Sequence, residues 1–256
     1  MYKNVLLPAA SGFALLLFSS VISANSCPGS PQQVVGTVYC DNKFTLWVNG
    51  EEVATDPIDF TPHQAVKVAF EWDGNSNIDY AIQCEDYAST SGYEYIESRK
   101  PQLGDGALIA EFDDALGTVS SADWKVYTAT FGPTEASLAA GCSSDDLEQC
   151  VVEDRGIPEG WTQSGFNDAQ WPHATVYSAA EAGWGRPPSW SANEGCCTLT
   201  SPLDRSSLGC NRSVSQQQCL NPKVEFTDST AQFIWAADLK RDNRVLFRYT
   251  ARCDAS

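Results

Sequence analysis

The sequence predicts an all-β protein, an antiparallel β-sandwich of the jelly-roll type, and three observations carry that reading. Short runs alternate apolar and polar residues, as Phe44, Leu46 and Val48 do against Thr45 and Trp47. A half-buried strand needs that period because successive side chains leave opposite faces. Clusters of Gly, Pro, Asn and Asp separate the runs, and no segment sustains a helical period beyond a turn or two. All ten cysteines follow an export signal, so an oxidised, crosslinked sheet protein is available to the chain.

The signal comes first. Lys3 precedes an apolar run from Val5 to Phe18, and small polar residues follow through Ser26. That is the pattern of a secretory signal peptide over residues 1–26, with cleavage after Ala24 or Ser26. The run is short for a membrane span, so removal is expected rather than anchoring, and membrane insertion of the mature chain is not. Residues 27–256 then form a single domain, secreted to the exterior or held at the cell surface. Losing Lys3 takes the formal charge from −17 to −18. Such a chain repels phosphate backbones and anionic membranes, which excludes nucleic acid as an expected partner.

The stretch from Cys40 to Val53 reads as a loop, a strand and a hairpin turn. Asn49-Gly50 tolerates the positive φ angles of a type I′ turn, and Asp41-Asn42 can start the strand from a tight loop. Further strands follow at Ala65–Trp72, Asp79–Cys84, Ala107–Phe112, Asp123–Thr130, Gln232–Ala236 and Arg244–Thr250. Many short strands with turns between them predict a sandwich, and about 230 mature residues suffice for one large sandwich with insertions.

The run Asp41-Asn42-Lys43-Phe44-Thr45-Leu46-Trp47-Val48-Asn49-Gly50 resembles a hairpin of galactose-binding-like β-sandwich domains, such as the accessory domains of α-L-rhamnosidases and other glycoside hydrolases. Ala122-Asp123-Trp124-Lys125, Gly165-Phe166-Asn167-Asp168-Ala169-Gln170-Trp171 and Phe233-Ile234-Trp235-Ala236-Ala237-Asp238, leading to Phe247-Arg248, resemble later segments of the same family in the same order. The resemblance implies a galactose-binding-like sandwich and carbohydrate as ligand. It also implies a structural calcium in some members, for which Asp41 and Asn42 are one candidate pair. Its hydrolases keep their catalytic groups on a separate domain, so the resemblance implies no catalytic residue here.

Residues 191–222 depart from that pattern. They are Cys-rich and polar, hold the glycosylation sequon Asn211-Arg212-Ser213, and read as a disulfide-stapled surface insertion. The even cysteine set (Cys27, Cys40, Cys84, Cys142, Cys150, Cys196, Cys197, Cys210, Cys219 and Cys253) argues for disulfides throughout. Cys142 and Cys150 bracket a polar loop that a local bridge could pin, and Cys210 and Cys219 are natural partners for the adjacent Cys196 and Cys197. Zinc lacks both the ligand spacing and a nearby His.

A sugar needs a flat apolar surface for its C–H face and fixed polar groups for its hydroxyls. Residues 160–190 have that composition. Trp161, Asn167, Asp168, Trp184, Arg186 and Trp190 are the ligand candidates, with Trp171 the one expected in the core. Asp73, Asn75, Asn77 and Asp79 place oxygens at alternate positions, which suits calcium. The loop departs from an EF-hand, with Ile78 where the turn glycine belongs and Cys84 at the closing position. His63 and His173 sit in no nucleophile motif, and no phosphate-binding glycine loop is present. The expectation is a secreted, non-catalytic, lectin-like protein that binds carbohydrate or glycoprotein, with no cofactor other than a candidate structural calcium. The alternative is a structural or adhesive component of a matrix, filament or cell coat, which takes part in an extracellular assembly.

Overall fold

The computed structural model describes residues 27–56, 65–86, 92–94, 102–135, 145, 150–182, 196–197, 226 and 229–253. Its strands are β1 (Gln32–Asp41), β2 (Lys43–Val48), β3 (Glu51–Thr55), β4 (Val66–Trp72), β5 (Ile78–Glu85), β6 (Tyr93–Glu94), β7 (Gln102–Leu103), β8 (Ala107–Phe112), β9 (Lys125–Phe131), β10 (Glu153–Asp154), β11 (Thr175–Tyr177), β12 (Cys196–Cys197), β13 (Phe233–Trp235) and β14 (Asp242–Ala251). Two six-stranded sheets, ordered β11-β13-β8-β1-β4-β12 and β10-β9-β14-β5-β2-β3, make an all-β sandwich, and no helix occurs among the described residues. Pairing is antiparallel except where β12, from the Cys-rich segment, lies parallel to the edge of β4. The short pair β6–β7 stands apart.

The alternation in β2 does what its period requires. Phe44, Leu46 and Val48 are buried between the sheets, while Lys43, Thr45 and Trp47 face outward and are partly covered. Asn49 and Gly50 take φ values of 51° and 90°, so the two-residue reversal expected there is present. Asn49 Oδ1 also accepts the Asp79 amide at 2.8 Å, which ties the turn to β5.

Between the sheets lies a core of Val34, Val38, Phe70, Ile82, Val245 and Phe247, with Trp124 and Trp235 fully buried. Tyr80 stacks on Phe112 at 4.3 Å and donates its hydroxyl to Asp114 Oδ2 at 2.7 Å. Burial, then the Asp114 carboxylate, push the Tyr80 pKa well up, so the phenol stays a donor. Gly36 on β1 faces the Phe112 ring, and a Cβ there would overlap it.

β1 is the strand the sequence reading left out, and it is central, paired with β4 on one side and β8 on the other. From Gly36 to Asp41 every residue is buried. On the outer side of its sheet, Tyr39, Ala65, Ala107, Ile109 and Ala182 form a second cluster, so both faces of β1 are covered and no clean alternation marks it. The strand expected from Asp123 begins instead at Lys125, because Ser121 accepts the amides of Asp123 and Trp124 and turns the chain first.

Cys40 on β1 and Cys84 on β5 form a disulfide between the two sheets, and Cys27 bonds Cys253 across a separation of 226 residues. Cys150 is also disulfide-bonded. Its expected partner Cys142, the Cys210 and Cys219 pairings, the Asn211 sequon and the signal segment lie outside the described residues. No described helix is long and apolar enough to cross a membrane.

Candidate functional site

The sequence points to residues 160–190, and in the described part of that stretch the structure buries Trp161 and Trp171. Residues 156–173 run over the outer face of the β9-β14-β5-β2 sheet in successive turns, with Gly156, Gly160 and Gly165 at φ values of 70°, 71° and 79°. Nothing crowds these three glycines, so the left-handed backbone alone selects them. Each turn drives an aromatic downward. Trp161, Phe166 and Trp171 pack with Trp47, Ala81, Tyr127, Ala129 and Leu246 into a layer outside the sandwich. Trp161 meets Trp47 edge-on at 5.4 Å, and Trp171 stacks on Tyr127 at 5.2 Å.

Arg248 of β14 stands beneath this layer, 2% exposed. Its Nε–H donates to Asp168 Oδ2 at 3.1 Å, an Nη1–H donates to the Trp161 carbonyl, and its guanidinium lies 5.3 Å from the Phe166 ring centre. Trp161 is 5% exposed, and its indole packs into the aromatic layer on the sheet. Asp168 braces Arg248, and exposed Asn167 accepts the Ala169 amide at 3.2 Å as an ordinary turn cap. These three candidates do come together, as a buttress. Trp184, Arg186 and Trp190 lie outside the described residues.

The calcium candidates hold their own loop. Asp73 Oδ1 accepts the Asn75 and Ser76 amides and the Ser76 hydroxyl within 3.0 Å, which lowers its pKa. Asn77 Oδ1 accepts the Cys253 amide at 2.9 Å, and Asp79 Oδ1 accepts the Thr250 hydroxyl at 2.5 Å. Asn75 turns its amide back to the Asp73 carbonyl. Asp41 and Asn42 are buried at the β1–β2 junction, where Asn42 Nδ2 donates to Asp41 Oδ1 at 2.6 Å. No group of three acidic, His or Cys side chains placed to hold a metal occurs among the described residues.

Among the described residues, a cavity that offers chemistry lies elsewhere. An open cleft of about 550 Å³ runs where β9 of one sheet comes near β11 and the β13–β14 turn of the other. The turn is rigid by construction: the Asp242 amide donates to the Asp238 carbonyl at 3.0 Å, and the Asp238 amide donates to Asp242 Oδ2 at 2.7 Å. Burial pushes the Asp242 carboxyl pKa up, against the lowering by that amide. Asp238 caps Lys240 with Oδ1 and accepts Arg241 Nε–H at 2.7 Å with Oδ2.

Two guanidiniums enter the cleft. Arg241 lies 4.9 Å from the centre of the Phe131 ring and Arg155 lies 5.8 Å from it. Arg155 also donates to Glu153 at 3.0 Å, a bond that lowers the Glu153 pKa and raises that of Arg155. Pro172, Ala236 and Ala237 supply apolar wall, and the Tyr177 hydroxyl reaches the Ala236 and Ala237 carbonyls, each at 3.0 Å. His173 has the Ala122 carbonyl 3.0 Å from Nδ1 and the Lys125 ammonium 3.1 Å from Nε2. The tautomer with hydrogen on Nδ1 satisfies both, since the carbonyl only accepts and the ammonium only donates.

Sequence reasoning missed this cleft. In the sequence Asp238 belongs only to a sandwich-like segment, and Phe131, Arg155 and Arg241 come from three separated stretches with no shared motif. The one local signal is Asp238 and Arg241 three residues apart in a turn. What fold and cleft define is an antiparallel β-sandwich with a polar, aromatic-anchored groove at its edge. Comparison with protein-family models, curated proteins and solved structures finds no match for the chain.

Proposed function

We propose that this protein is a secreted, non-catalytic carbohydrate-binding β-sandwich of the galactose-binding-like kind, and that saccharide docks in the cleft between β9 and the β13–β14 turn. One observation carries this reading: two guanidiniums are held on the Phe131 ring beside an apolar wall of Pro172 and Ala237. Hydroxyl recognition needs planar, prepositioned donors and acceptors next to a surface that accepts C–H groups, and this cleft has both. The ordered sequence resemblance and the disulfides of an oxidising compartment support it. Binding of the full mature chain to a glycan array, with and without calcium, tests it; signals no higher than those of unglycosylated spots would remove it.

A second reading has its own observation. Trp72, Trp124, Trp161, Trp171 and Trp235 are buried and Trp47 is partly covered. None of these rings is offered to a sugar, which favours a structural or adhesive component of a coat or matrix. Ordered assemblies of the purified chain at physiological salt, with no glycan bound, would favour it.

A further inference from the structure

We infer that the cleft is selective for neutral saccharides, and that the Asp238–Arg241 pair reads two neighbouring hydroxyls. The inference rests on carbohydrate binding at this cleft and adds the ligand's charge class and the pair that reads it.

Its basis is the charge arrangement. Each guanidinium already has a carboxylate partner: Arg241 has Asp238, and Arg155 has Glu153. Asp242 stands under the turn as a further acid. The lining therefore presents no surplus positive charge, within a chain of net charge −17. A carboxylate or sulfate on the ligand would meet repulsion at long range and an Asp or Glu beside every Arg at short range. A hydroxyl meets neither, because it both donates and accepts.

The free valences match that pattern. Arg241 uses only Nε on Asp238, which leaves the hydrogens of both Nη atoms for ligand oxygens. Each Asp238 oxygen accepts one hydrogen bond and has a second lone pair. One hydroxyl can accept from Arg241 while its neighbour donates to Asp238, which is how a planar ion pair reads a vicinal diol. Contact with Phe131 restrains the guanidinium before the ligand arrives, so less rotamer freedom is lost on binding.

The test is an array carrying neutral glucose-, galactose-, mannose-, fucose- and rhamnose-terminated glycans beside uronate-, sialate- and sulfate-bearing counterparts. It is followed by calorimetry on the strongest neutral glycan and its acidic counterpart. Wild type should bind the neutral glycan at least about tenfold more tightly than the acidic one, and Arg241→Gln should lose about tenfold or more. Arg241→Lys, which keeps the charge and loses the planar fork, should lose nearly as much. Equal or tighter binding of acidic glycans would overturn the selectivity and leave carbohydrate binding standing. Neutral binding indifferent to both Arg241 variants would overturn the assignment of the pair, and no binding of any glycan would remove the underlying reading.

Discussion

Arg248 Nε–H donates to Asp168 Oδ2 at 3.1 Å, with the Arg side chain 3% exposed and the Asp side chain 28% exposed. This single pair connects the last turn of the aromatic layer to β14, a central strand of the sheet beneath it. It explains why Trp161 and Trp171 lie against the sheet rather than in solvent.

Removing the cation strands Asp168 and the Trp161 carbonyl together. Arg248→Ala should cost about 3 kcal/mol, in the range for breaking a buried pair from one side. Urea unfolding followed by tryptophan emission measures it. The native emission should also shift to the red as water reaches Trp161 and Trp171. A stability change near zero with an unmoved spectrum would show that the layer is held by something else.

Trp161 itself separates packing from recognition. Trp161→Ala should lower stability by about 3–5 kcal/mol, as for other buried aromatic truncations, and leave glycan affinity within about twofold of wild type. Loss of binding at unchanged stability would return Trp161 to the ligand face.

The disulfide from Cys40 to Cys84 closes a loop of 44 residues between the two sheets. Chain entropy alone assigns it about 4 kcal/mol, and Cys40→Ala with Cys84→Ala should show at least that loss. Mass spectrometry of unreduced peptides should find the Cys40–Cys84 and Cys27–Cys253 crosslinks, and scrambled pairs would contradict the fold.

Asp242 gives a pH signature. Its folded-state pKa is raised above the ordinary 3.8, with burial the main cause. The folded protein therefore holds that proton more tightly than the unfolded chain. The stability it contributes is complete below about 3.8 and is lost as pH rises through the raised value. The unfolding free energy of wild type should gain on that of Asp242→Asn as pH falls from neutral towards 4, and a gap independent of pH would refute the assignment.

Local chemistry was legible in the sequence, and long-range convergence was not. The Asn49-Gly50 reversal and the buried trio Phe44, Leu46 and Val48 follow from turn chemistry and period. β1 hid because Tyr39 and its neighbours are covered on both faces, which removes the alternation that marks a strand. Trp161 suggested a ligand surface because composition cannot say which way a ring points; Arg248, 87 residues further along the chain, holds the Trp161 carbonyl over the sheet. Beyond the Asp238–Arg241 spacing the cleft had no motif, since Phe131, Arg155 and Arg241 meet only once β10, β9 and β14 pair side by side in one sheet.

The most direct measurement is an amide-resolved NMR titration of the full mature chain with the neutral glycan that binds it best. Shifts concentrated at Phe131, Arg155, Ala237 and Arg241 are the expected result. Shifts confined to Trp184 and Trp190, or spread over residues 158–171 with the cleft unmoved, would contradict recognition at the sandwich edge.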